Sequence, residues 1–476
     1  MKKVRTRFAP SPTGFMHLGG LRTALYAYLY AKHNGGDFIL RIEDTDRERF
    51  VDGALEVIYS SLISSGLKYD EGPDVGGNYG PYTQSERKPL YMDYAKKLIE
   101  LGGAYYCFCS KERLESLTDE NGNRKYDKSC LKLSKEEVEK RINAGESFVI
   151  RQNIPTSGTS SYEDLIYGTI EVDYSDLEDN VLIKSDGMPT YNFANVIDDH
   201  LMGITHVIRG TEYLSSTPKY NLMYDAFGWE RPVYIHLPTI MKDATRKLSK
   251  RYGDANFDDF ISKGYLEEAI INYVALLGWC PKNNAEKMTL NEMIELFDLS
   301  GISKSPSIFD EIKLRWLNGE YIKTLSDQEF ISRAEPFIKE SNLDGLDIYK
   351  IAKLIKPRIE ILSEIKEKTA FLTEIKPFDA TLYQNKKQKT DENLAKSLLP
   401  EVRKTLALVD DFSNDNLFSV LSSLSETLNV KARQLFYVLR VAITGLEVTP
   451  GGATEVLEIL KKEESLRRID FSISLL

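Results

Sequence analysis

Residues 7–20, with the sequence RFAPSPTGFMHLGG, leave the chain few ways to fold locally. Residues 7–9 favour a short strand, and the Pro-Ser-Pro-Thr-Gly run after them can neither continue a strand nor begin a helix. Apolar residues recur at helical spacing after His17, and Asn-Gly-Gly at 34–36 provides a helix stop. The pattern therefore predicts a strand, a turn and a helix over residues 18–33.

The start of this helix is a candidate anion site. Its first backbone N–H groups have no partners within the helix, and the helix dipole is positive at that end. Glycines at 14, 19 and 20 let a phosphate or an adenine approach the backbone, and His17 can donate to a phosphate oxygen. A glycine-rich and proline-rich connection with a surface histidine is the alternative, and this stretch alone does not decide between them.

Composition narrows the class of protein. A chain of 476 residues predicts three or four domains, and 42% hydrophobic with 28% charged residues is typical of a globular chain. No apolar run reaches the roughly 18 residues of a membrane helix, and no apolar core follows the basic start, so we expect a cytoplasmic protein without a signal peptide. Four cysteines are too few for a disulfide framework. The net charge of −10 gives no support for bulk nucleic-acid affinity, although residues 242–251 are locally basic.

The first hundred residues alternate strand and helix signals, which predicts a parallel sheet covered by helices. A second strand is expected at 38–42, and Glu43 follows at its carboxyl end, where open α/β sheets contact their ligands. Asp44 and Asp46 are predicted to cap the next helix. The alternation stops near 103 and resumes at 181, so residues 104–180 are interpreted as an insertion into one nucleotide-binding sheet.

A second candidate segment lies at residues 242–253. Lys247 and Lys250 are three residues apart with a small hydroxyl residue between them, on a stretch without strong periodicity. Such a loop suits a mobile clamp for the negative charge that develops as a phosphate bond breaks. A solvated basic loop is the alternative. Past residue 251 the apolar spacing is helical, and the absence of long alternating runs favours an all-α end over β-barrels.

Two motifs resemble the signatures of the class I aminoacyl-tRNA synthetases: HLGG at 17–20 and KLSK at 247–250. Four more stretches resemble bacterial glutamyl-tRNA synthetases in particular: 7–14, 41–46, 189–195 and 206–210. The likeness covers nearly the whole chain, and the order of the motifs makes it specific. Gly20 departs from the general class pattern, since most members carry a second histidine there, whereas glutamyl enzymes commonly carry a small residue.

The resemblance implies a Rossmann-type parallel-sheet catalytic domain, of the α/β class, split by an α+β insertion and followed by all-α C-terminal domains. The expected boundaries are 1–103 and 181–240 for the halves of the catalytic domain, 104–180 for the inserted acceptor-binding domain, 241–325 for the lysine loop and a helical stem-contact domain, and 326–380 and 381–476 for two anticodon-binding subdomains.

The activity implied by the resemblance is ATP- and Mg²⁺-dependent ligation of L-glutamate to tRNA(Glu) through glutamyl-adenylate, by a monomer. Because the substrate carboxylate is the nucleophile, no protein base is needed, and catalysis depends on positioning and charge stabilisation. His17, Lys247 and Lys250 are therefore the expected catalytic residues. The expected ATP-binding residues are Pro10, Thr13, Gly14, His17, Gly19, Gly20 and Lys250.

Selecting free glutamate requires cations for its carboxylates and an anion for its ammonium group. Arg7 and Arg209 are predicted to pair with the carboxylates and Glu43 with the ammonium. An arginine that faced the neutral amide of glutamine would stay partly unpaired, so we expect strong discrimination. Salt bridges from the arginines to Glu43 or Glu212 are the alternative. The resemblance adds three more glutamate-binding residues: Ser11, Tyr191 and Asn195.

Some members of the family bind zinc in the inserted region through cysteines. Cys107, Cys109 and Cys130 are present here, but Lys132 stands where the fourth ligand would fall, and its ammonium must lose a proton before it can bind a metal. Tyr126 or a water completing a zinc site is one interpretation. Three reduced cysteines in a small core are the favoured one.

The helical end of the chain contains Lys356-Pro357-Arg358, where the family contacts anticodon bases. Arg358 is a candidate base contact, with a solvated arginine as the alternative. Two further functions stay open: an enzyme that also charges tRNA(Gln) with glutamate, and a non-catalytic tRNA-binding protein. A small nucleotidyltransferase would lack the helical tail.

Overall fold

The predicted strand, turn and helix at the start of the chain are confirmed. The structure is a computed structural model that describes residues 2–46, 51–117, 126–248 and 256–476. Strand β1 covers Arg5–Phe8, helix α1 covers Leu18–His33 and strand β2 covers Asp37–Leu40. The two strands are parallel, with Arg7 opposite Ile39. The turn between β1 and α1 therefore lies at the carboxyl end of this strand pair.

The chain divides into two compact units, Met1–Phe260 with Ile270–Asp310 and Ile261–Ala269 with Glu311–Leu476. The remaining strands are β3 Ala104–Cys107, β4 Val149–Gln152, β5 Thr159–Asp164, β6 Gly168–Asp173, β7 Val181–Ile183, β8 His206–Gly210, β9 Val233–Leu237, β10 Ile240–Met241 and β11 Ser307–Ile308. The helices up to residue 296 are α2 Ala54–Ser64, α3 Lys88–Glu100, α4 Lys111–Ser116, α5 Lys135–Asn143, α6 Tyr191–Leu201, α7 Thr217–Phe227, α8 Phe257–Ser262, α9 Glu267–Leu276 and α10 Leu290–Leu296.

The sheet that carries the candidate site combines distant parts of the first unit. Strands β8 and β9 are parallel and paired along their whole length, and β5 joins the other edge of β9, giving the order β6-β5-β9-β8. The backbone N–H of Thr205 donates to the carbonyl oxygen of Arg5 at 3.0 Å, which links the start of β8 to β1. Parallel strands end at one edge, so the residues that end β1, β2, β8 and β9 are brought together there.

The β5–β6 hairpin belongs to the segment that the sequence assigns to the insertion, yet it completes this sheet. Strands β3, β4 and β7 form a separate antiparallel sheet. Under it lies a fully buried cluster that fixes the position of α6: Tyr91, Ile150, Leu182, Phe193, Ile197 and Tyr220. The finer domain boundaries stay a prediction.

The predicted capping role of Asp44 is wrong. Helix α2 begins at Ala54, and its N-cap is Gly53, which adopts a left-handed conformation with φ 81°. The carboxylate of Asp44 instead accepts the backbone N–H of Ser85 at 2.8 Å. Asp46 lies too far before Ala54 to cap α2. The prediction rests on acidic residues that precede an apolar helical pattern, and such a pattern does not show at which residue the helix begins.

The second unit is helical, as the sequence predicts. Its helices are α11 Glu311–Thr324, α12 Asp327–Lys339, α13 Ile348–Ile355, α14 Glu364–Thr373, α15 Glu392–Ala407, α16 Asn414–Thr427, α17 Ala432–Thr444 and α18 Ala453–Ser474, the last interrupted at Lys461. The fully buried Arg468 donates to the carbonyl oxygens of Phe371, Leu372 and Ile443, which ties α14, α17 and α18 together. Among the described helices of the chain, none is long and apolar enough to cross a membrane.

Candidate active site

A cavity of about 460 Å³ opens at the carboxyl ends of β1, β2 and β8. Five of the six predicted glutamate-binding residues line it: Arg7, Ser11, Glu43, Tyr191 and Arg209. The sixth, Asn195, does not. Its side-chain amide is buried and donates to the carbonyl oxygen of Tyr191 at 2.6 Å, so Asn195 holds the first turn of α6 below the cavity.

A second cavity of about 240 Å³ adjoins the first, and the two share Gly20, Thr23, Gly210 and Glu212. We call the two cavities together the substrate cleft. The predicted ATP-binding residues are divided between them. Thr13 and Gly20 line the first cavity, and His17, Gly19 and Gly20 line the second. Pro10 and Gly14 line neither of these two cavities.

His17 is the N-cap of α1, and its ring accepts a hydrogen bond rather than leaving the helix end open. Nδ1 lies 3.1 Å from the backbone nitrogen of Gly19 and accepts its N–H. The Gly19 N–H is therefore not available to a phosphate, although the sequence predicts that the first N–H groups of this helix lack partners. Because Nδ1 is an acceptor, the neutral ring carries its proton on Nε2. Nε2–H is the atom of His17 that can donate to a phosphate oxygen.

The two described ends of the lysine loop both lie beside His17. Leu248 is buried and lines the second cavity with His17. On the other side, Asn256 pairs with His17 in an isolated β-bridge, and the N–H of Phe257 donates to the carbonyl oxygen of Met16 at 3.0 Å. Lys247 is exposed and does not line these cavities. Lys250 lies outside the described residues.

Arg7 forms an ion pair that the sequence analysis did not anticipate. Its Nε and Nη2 donate to the two carboxylate oxygens of Asp199 at 3.0 and 3.3 Å, and Nη1 lies 3.3 Å from the carbonyl oxygen of Ile208. The alternative prediction, a salt bridge from Arg7 to Glu43 or Glu212, is wrong because Asp199 is the partner of Arg7. Burial opposes ionisation of Asp199, but Arg7 and Arg41 outweigh it and hold the pKa of Asp199 below its ordinary value. Arg7 is thus fixed before any substrate binds.

Arg41 connects the acidic residues beneath the cleft. Its guanidinium is fully buried and donates from Nη1 to Asp199 at 2.7 Å and from Nη2 to Oε1 of Glu43 at 2.8 Å. Both Arg41 bonds to Glu43 use Oε1, so Oε2 is left for another partner. Burial raises the pKa of Glu43 above its ordinary value, against the opposing effect of Arg41. The motif at 41–46 contains both residues, yet only Glu43 was recognised from the sequence.

Arg209 has a different environment from Arg7. Its side chain is buried in the cavity wall, and no described carboxylate forms a salt bridge with it. Nε donates to Nε2 of His236 at 3.1 Å, and Nη2 donates to the hydroxyl of Thr217 at 2.7 Å. Three tyrosine rings surround its guanidinium carbon at 5.0, 4.8 and 5.6 Å: Tyr213, Tyr220 and Tyr234. A buried guanidinium without a counter-ion is suited to an anionic ligand.

The three cysteines of the inserted region converge. Their sulfur atoms all lie within 4.8 Å of one another, with 3.5 Å between those of Cys109 and Cys130. The hydroxyl of Tyr126 lies 3.4 Å from the sulfurs of Cys107 and Cys109. Lys132, at the expected fourth position, is exposed. The three sulfur atoms are close enough together to hold a metal ion such as zinc, and the Tyr126 hydroxyl is the oxygen beside them.

In the second unit, Arg358 ends a short 3₁₀ turn over Lys356–Arg358 that follows α13. Its Nη1 donates to the carbonyl oxygen of Leu354 at 2.6 Å, and the residue is exposed. The side chain is therefore accessible and partly held in place.

Comparison with known proteins agrees with the geometry. Residues 3–316 match the family described as class I tRNA synthetases (E and Q), catalytic domain, and residues 329–473 match the anticodon binding domain. The glutamate–tRNA ligases of Clostridium kluyveri and Clostridium acetobutylicum are 55% and 54% identical to this chain over 479 residues, which is 99% of this chain and 98% of each relative. The crystal structure of a glutamate tRNA ligase from Elizabethkingia meningosepticum, in complex with its amino acid, superposes with a TM-score of 0.92 at 36% identity and covers 100% of both chains.

A parallel sheet whose carboxyl edge carries a histidine-glycine turn, joined to a helical anticodon-binding region, defines a class I aminoacyl-tRNA synthetase. The predicted α/β catalytic domain and all-α C-terminal region are thereby confirmed. Within that class, the chain belongs to the glutamate–tRNA ligase family, because its identity to members of that family extends over the full length of both chains.

Proposed function

We propose that the substrate cleft binds L-glutamate in its first cavity and the phosphates of ATP in its second, and that the chain joins glutamate to tRNA(Glu) through glutamyl-adenylate. The observation that carries the proposal is Arg209, a buried guanidinium in the cavity wall without a carboxylate partner among the described residues. Its cavity adjoins the one lined by His17. An acidic amino acid in the first cavity and a nucleotide in the second would therefore be bound side by side.

Arg209 takes the side-chain carboxylate of glutamate in this proposal. Arg7 is already paired with Asp199, so it adds positive potential to the wall and holds the floor of the cavity. The ammonium group of glutamate is taken by Glu43, whose Oε2 is not used by Arg41. Tyr191 lines the same cavity and packs against Tyr213 with the rings tilted by 35° and their centroids 5.4 Å apart, which gives the amino acid an aromatic wall.

The first chemical step needs charge stabilisation rather than a base. An α-carboxylate oxygen of glutamate attacks the α-phosphorus of ATP, and the bond between the α-phosphorus and the bridging oxygen breaks to release pyrophosphate. Nε2–H of His17 donates to phosphate oxygens as charge develops on them. Lys247 and Lys250 stabilise the leaving pyrophosphate. Leu248 and Asn256, which border the undescribed part of this loop, both lie beside His17, and this supports the assignment.

In the second step a hydroxyl of the terminal ribose of tRNA attacks the acyl carbon, and AMP leaves. The helical unit selects the tRNA, with Arg358 as the proposed contact to an anticodon base. ATP enters as its magnesium complex, which neutralises part of the phosphate charge.

We also propose a structural zinc ion held by Cys107, Cys109, Cys130 and the hydroxyl of Tyr126. The convergence of three sulfurs and a phenol oxygen supports it over three isolated thiols, although the sequence favoured the thiols. When bound, zinc would link the end of β3 to the turn at residues 129–132. No chemical step depends on it.

Charging assays with purified tRNA(Glu) and tRNA(Gln), each with glutamate and with glutamine, test the function directly. The proposal expects attachment of glutamate to tRNA(Glu) and no attachment of glutamine. Attachment of glutamate to tRNA(Gln) as well would identify a non-discriminating enzyme. Binding of tRNA without any charging would contradict the proposal and identify a binding protein.

A further inference from the structure

The side chain that fixes Arg209 comes from the neighbouring strand. In the parallel pair β8–β9, Arg209 is directly opposite His236, so the two side chains project from the same face of the sheet. His236 is fully buried, and its Nε2 lies 3.1 Å from Nε of Arg209. An arginine Nε can only donate, so Nε2 of His236 is the acceptor of this bond.

The other ring nitrogen of His236 contacts a fully buried carboxylate on the next strand. Nδ1 lies 2.7 Å from Oδ2 of Asp164, the last residue of β5. That carboxylate is held by three backbone N–H groups: those of Ile166 and Tyr167 donate to Oδ1 at 2.9 Å each, and that of His236 donates to Oδ2 at 3.1 Å. Asp164 therefore has a single orientation, and it fixes His236 as a donor at Nδ1.

The surrounding groups leave His236 neutral. The hydroxyl of Thr217 lies 3.4 Å from Nε2, but it donates its proton to the carbonyl oxygen of Tyr213 and accepts from Arg209. A protonated His236 would place Nε2–H against the Nε–H of Arg209, so both groups would be donors with a like charge. Burial lowers the pKa of His236, although Asp164 opposes the effect.

We propose that Asp164 and His236 are positioning residues that orient Arg209 for the side-chain carboxylate of glutamate and so set the preference for glutamate over glutamine. The three residues form a line across three strands, from β5 through β9 to β8. The line holds the Nε edge of the guanidinium, while Thr217 holds Nη2. The inference rests on the proposed role of Arg209. It also gives the β5–β6 hairpin a part in amino-acid selection.

Asp164→Asn is the most conservative break in this line. An amide nitrogen facing the two N–H groups of His236 would be a third donor, whereas the opposite amide orientation would lose the bonds from Ile166 and Tyr167. In the first orientation Nδ1 of His236 loses its acceptor and the ring loses its fixed tautomer. In the second the side chain that holds the ring is itself no longer anchored, so in both cases Nε2 is no longer held in place to accept from Arg209. We expect KM for glutamate to rise about tenfold to a hundredfold, since a displacement of about 1 Å has effects of that size. KM for ATP should stay within about twofold.

A second pair of variants tests the ring itself. His236→Phe keeps a flat aromatic ring, although a larger one, and removes both polar contacts, so it should raise KM for glutamate and lower the preference for glutamate over glutamine. His236→Gln keeps an oxygen that can accept from Arg209 and should recover a large part of the wild-type KM. A purely structural role of His236 would give equal losses in both variants, visible in kcat and in KM for ATP. That result would overturn the proposal.

The control is His206→Gln, at the opposite end of the same strand pair, where the ring contacts Thr205 outside the cleft. It should leave both KM values unchanged.

Arg209→Gln separates this proposal from the one it rests on. If Arg209→Gln raises KM for glutamate and neither Asp164→Asn nor His236→Phe does, the positioning line is wrong and the role of Arg209 stands. If Arg209→Gln has no effect on KM for glutamate, the role of Arg209 itself is wrong. Should Asp164→Asn lose the wild-type circular dichroism spectrum, the comparison of His236→Phe with His236→Gln decides.

Discussion

Arg7 and Asp199 form a two-pronged ion pair beneath the substrate cleft, with side-chain exposures of only 5% and 3%. The residues lie 192 positions apart in the chain, and β1 and α6 bring them together. Arg7 is paired with Asp199, whereas no described carboxylate forms a salt bridge with Arg209, so the two arginines of the cleft have different environments. The proposed roles follow from this difference: Arg7 holds the framework, and Arg209 binds the substrate.

Replacing Arg209 with glutamine should therefore affect glutamate selectively. We expect Arg209→Gln to raise KM for glutamate about a hundredfold or more, because the charged pair with the side-chain carboxylate is lost, and to leave KM for ATP nearly unchanged. Steady-state charging of tRNA(Glu) measures both constants. Arg231→Gln, which removes an exposed arginine paired with Asp225, is the matched control and should behave as the wild type. Equal KM values for the two variants would contradict the assignment.

Removing the acid of the buried pair should destabilise the protein. Asp199→Asn leaves Arg7 and Arg41 as buried charges with one partner fewer, and such losses cost about 3–5 kcal/mol in the free energy of unfolding. Asp225→Asn, which breaks the exposed pair with Arg231, should cost less than about 1 kcal/mol. Urea denaturation at neutral pH compares the two. A cost for Asp199→Asn as small as that of the exposed control would show that the pair is not structural.

The same carboxylate predicts the acid sensitivity of the fold. The pKa of Asp199 is depressed in the folded protein, so its contribution to stability is present above the unfolded value of about 3.9 and is lost as the pH falls through the lower folded value. From about pH 5 downward the free energy of unfolding should fall more steeply in the wild type than in Asp199→Asn. Parallel pH profiles would contradict this.

Lys250→Ala should lower the rate of glutamyl-adenylate formation by about a hundredfold, because it removes a cation from the leaving pyrophosphate, while affinity for tRNA stays largely intact. Single-turnover measurement of adenylate and a separate tRNA-binding assay distinguish the two effects. Lys304→Ala, an exposed lysine of the same unit, serves as the control. Unchanged charging by Lys250→Ala would remove the lysine from the mechanism.

The cysteine cluster predicts one zinc ion per chain by elemental analysis of protein purified without chelator. Cys109→Ser should lose the metal, and Tyr126→Phe should weaken its retention during dialysis against a chelator, since each removes one of four donors. Cys280→Ser, an exposed cysteine elsewhere, should keep it. Metal-free wild-type protein with three titratable thiols in the cluster would show that the cysteines are simply reduced.

Arg358→Gln should raise KM for tRNA(Glu) several-fold and leave KM for glutamate unchanged, because a base contact in the helical unit acts on the tRNA alone. Lys366→Gln, on the neighbouring helix α14, controls for the general loss of a positive charge. If the two variants weaken tRNA binding equally, Arg358 contributes charge but no specific contact.

Local patterns predicted those parts of the fold that local chemistry determines. The bounds of α1 follow from apolar spacing and from turn residues, and the strand expected at 38–42 is present as Asp37–Leu40. Strand β5 was missed because the buried side of TSSYED consists of Ser160, Tyr162 and Asp164, so it lacks the apolar alternation by which a strand is recognised.

Three residues of the candidate site were not predicted from the sequence for a similar reason. Asp164, His236 and Asp199 are polar residues buried by contacts between distant segments, and one sequence does not show which segments meet. Asp198-Asp199 near the end of the apolar helix α6 was the available signal, since two adjacent acids facing a core require cationic partners. The need for a cation at each carboxylate of glutamate predicted Arg7 and Arg209 but not the difference between their environments.

The most direct test of the account is a crystal structure of this protein with a non-hydrolysable analogue of glutamyl-adenylate. The account predicts the side-chain carboxylate of the analogue within hydrogen-bond distance of the Arg209 guanidinium and the phosphate mimic beside Nε2 of His17, with the Arg7–Asp199 pair intact. A side-chain carboxylate bound by Arg7 after Asp199 has moved away, or an analogue bound outside the substrate cleft, would contradict it.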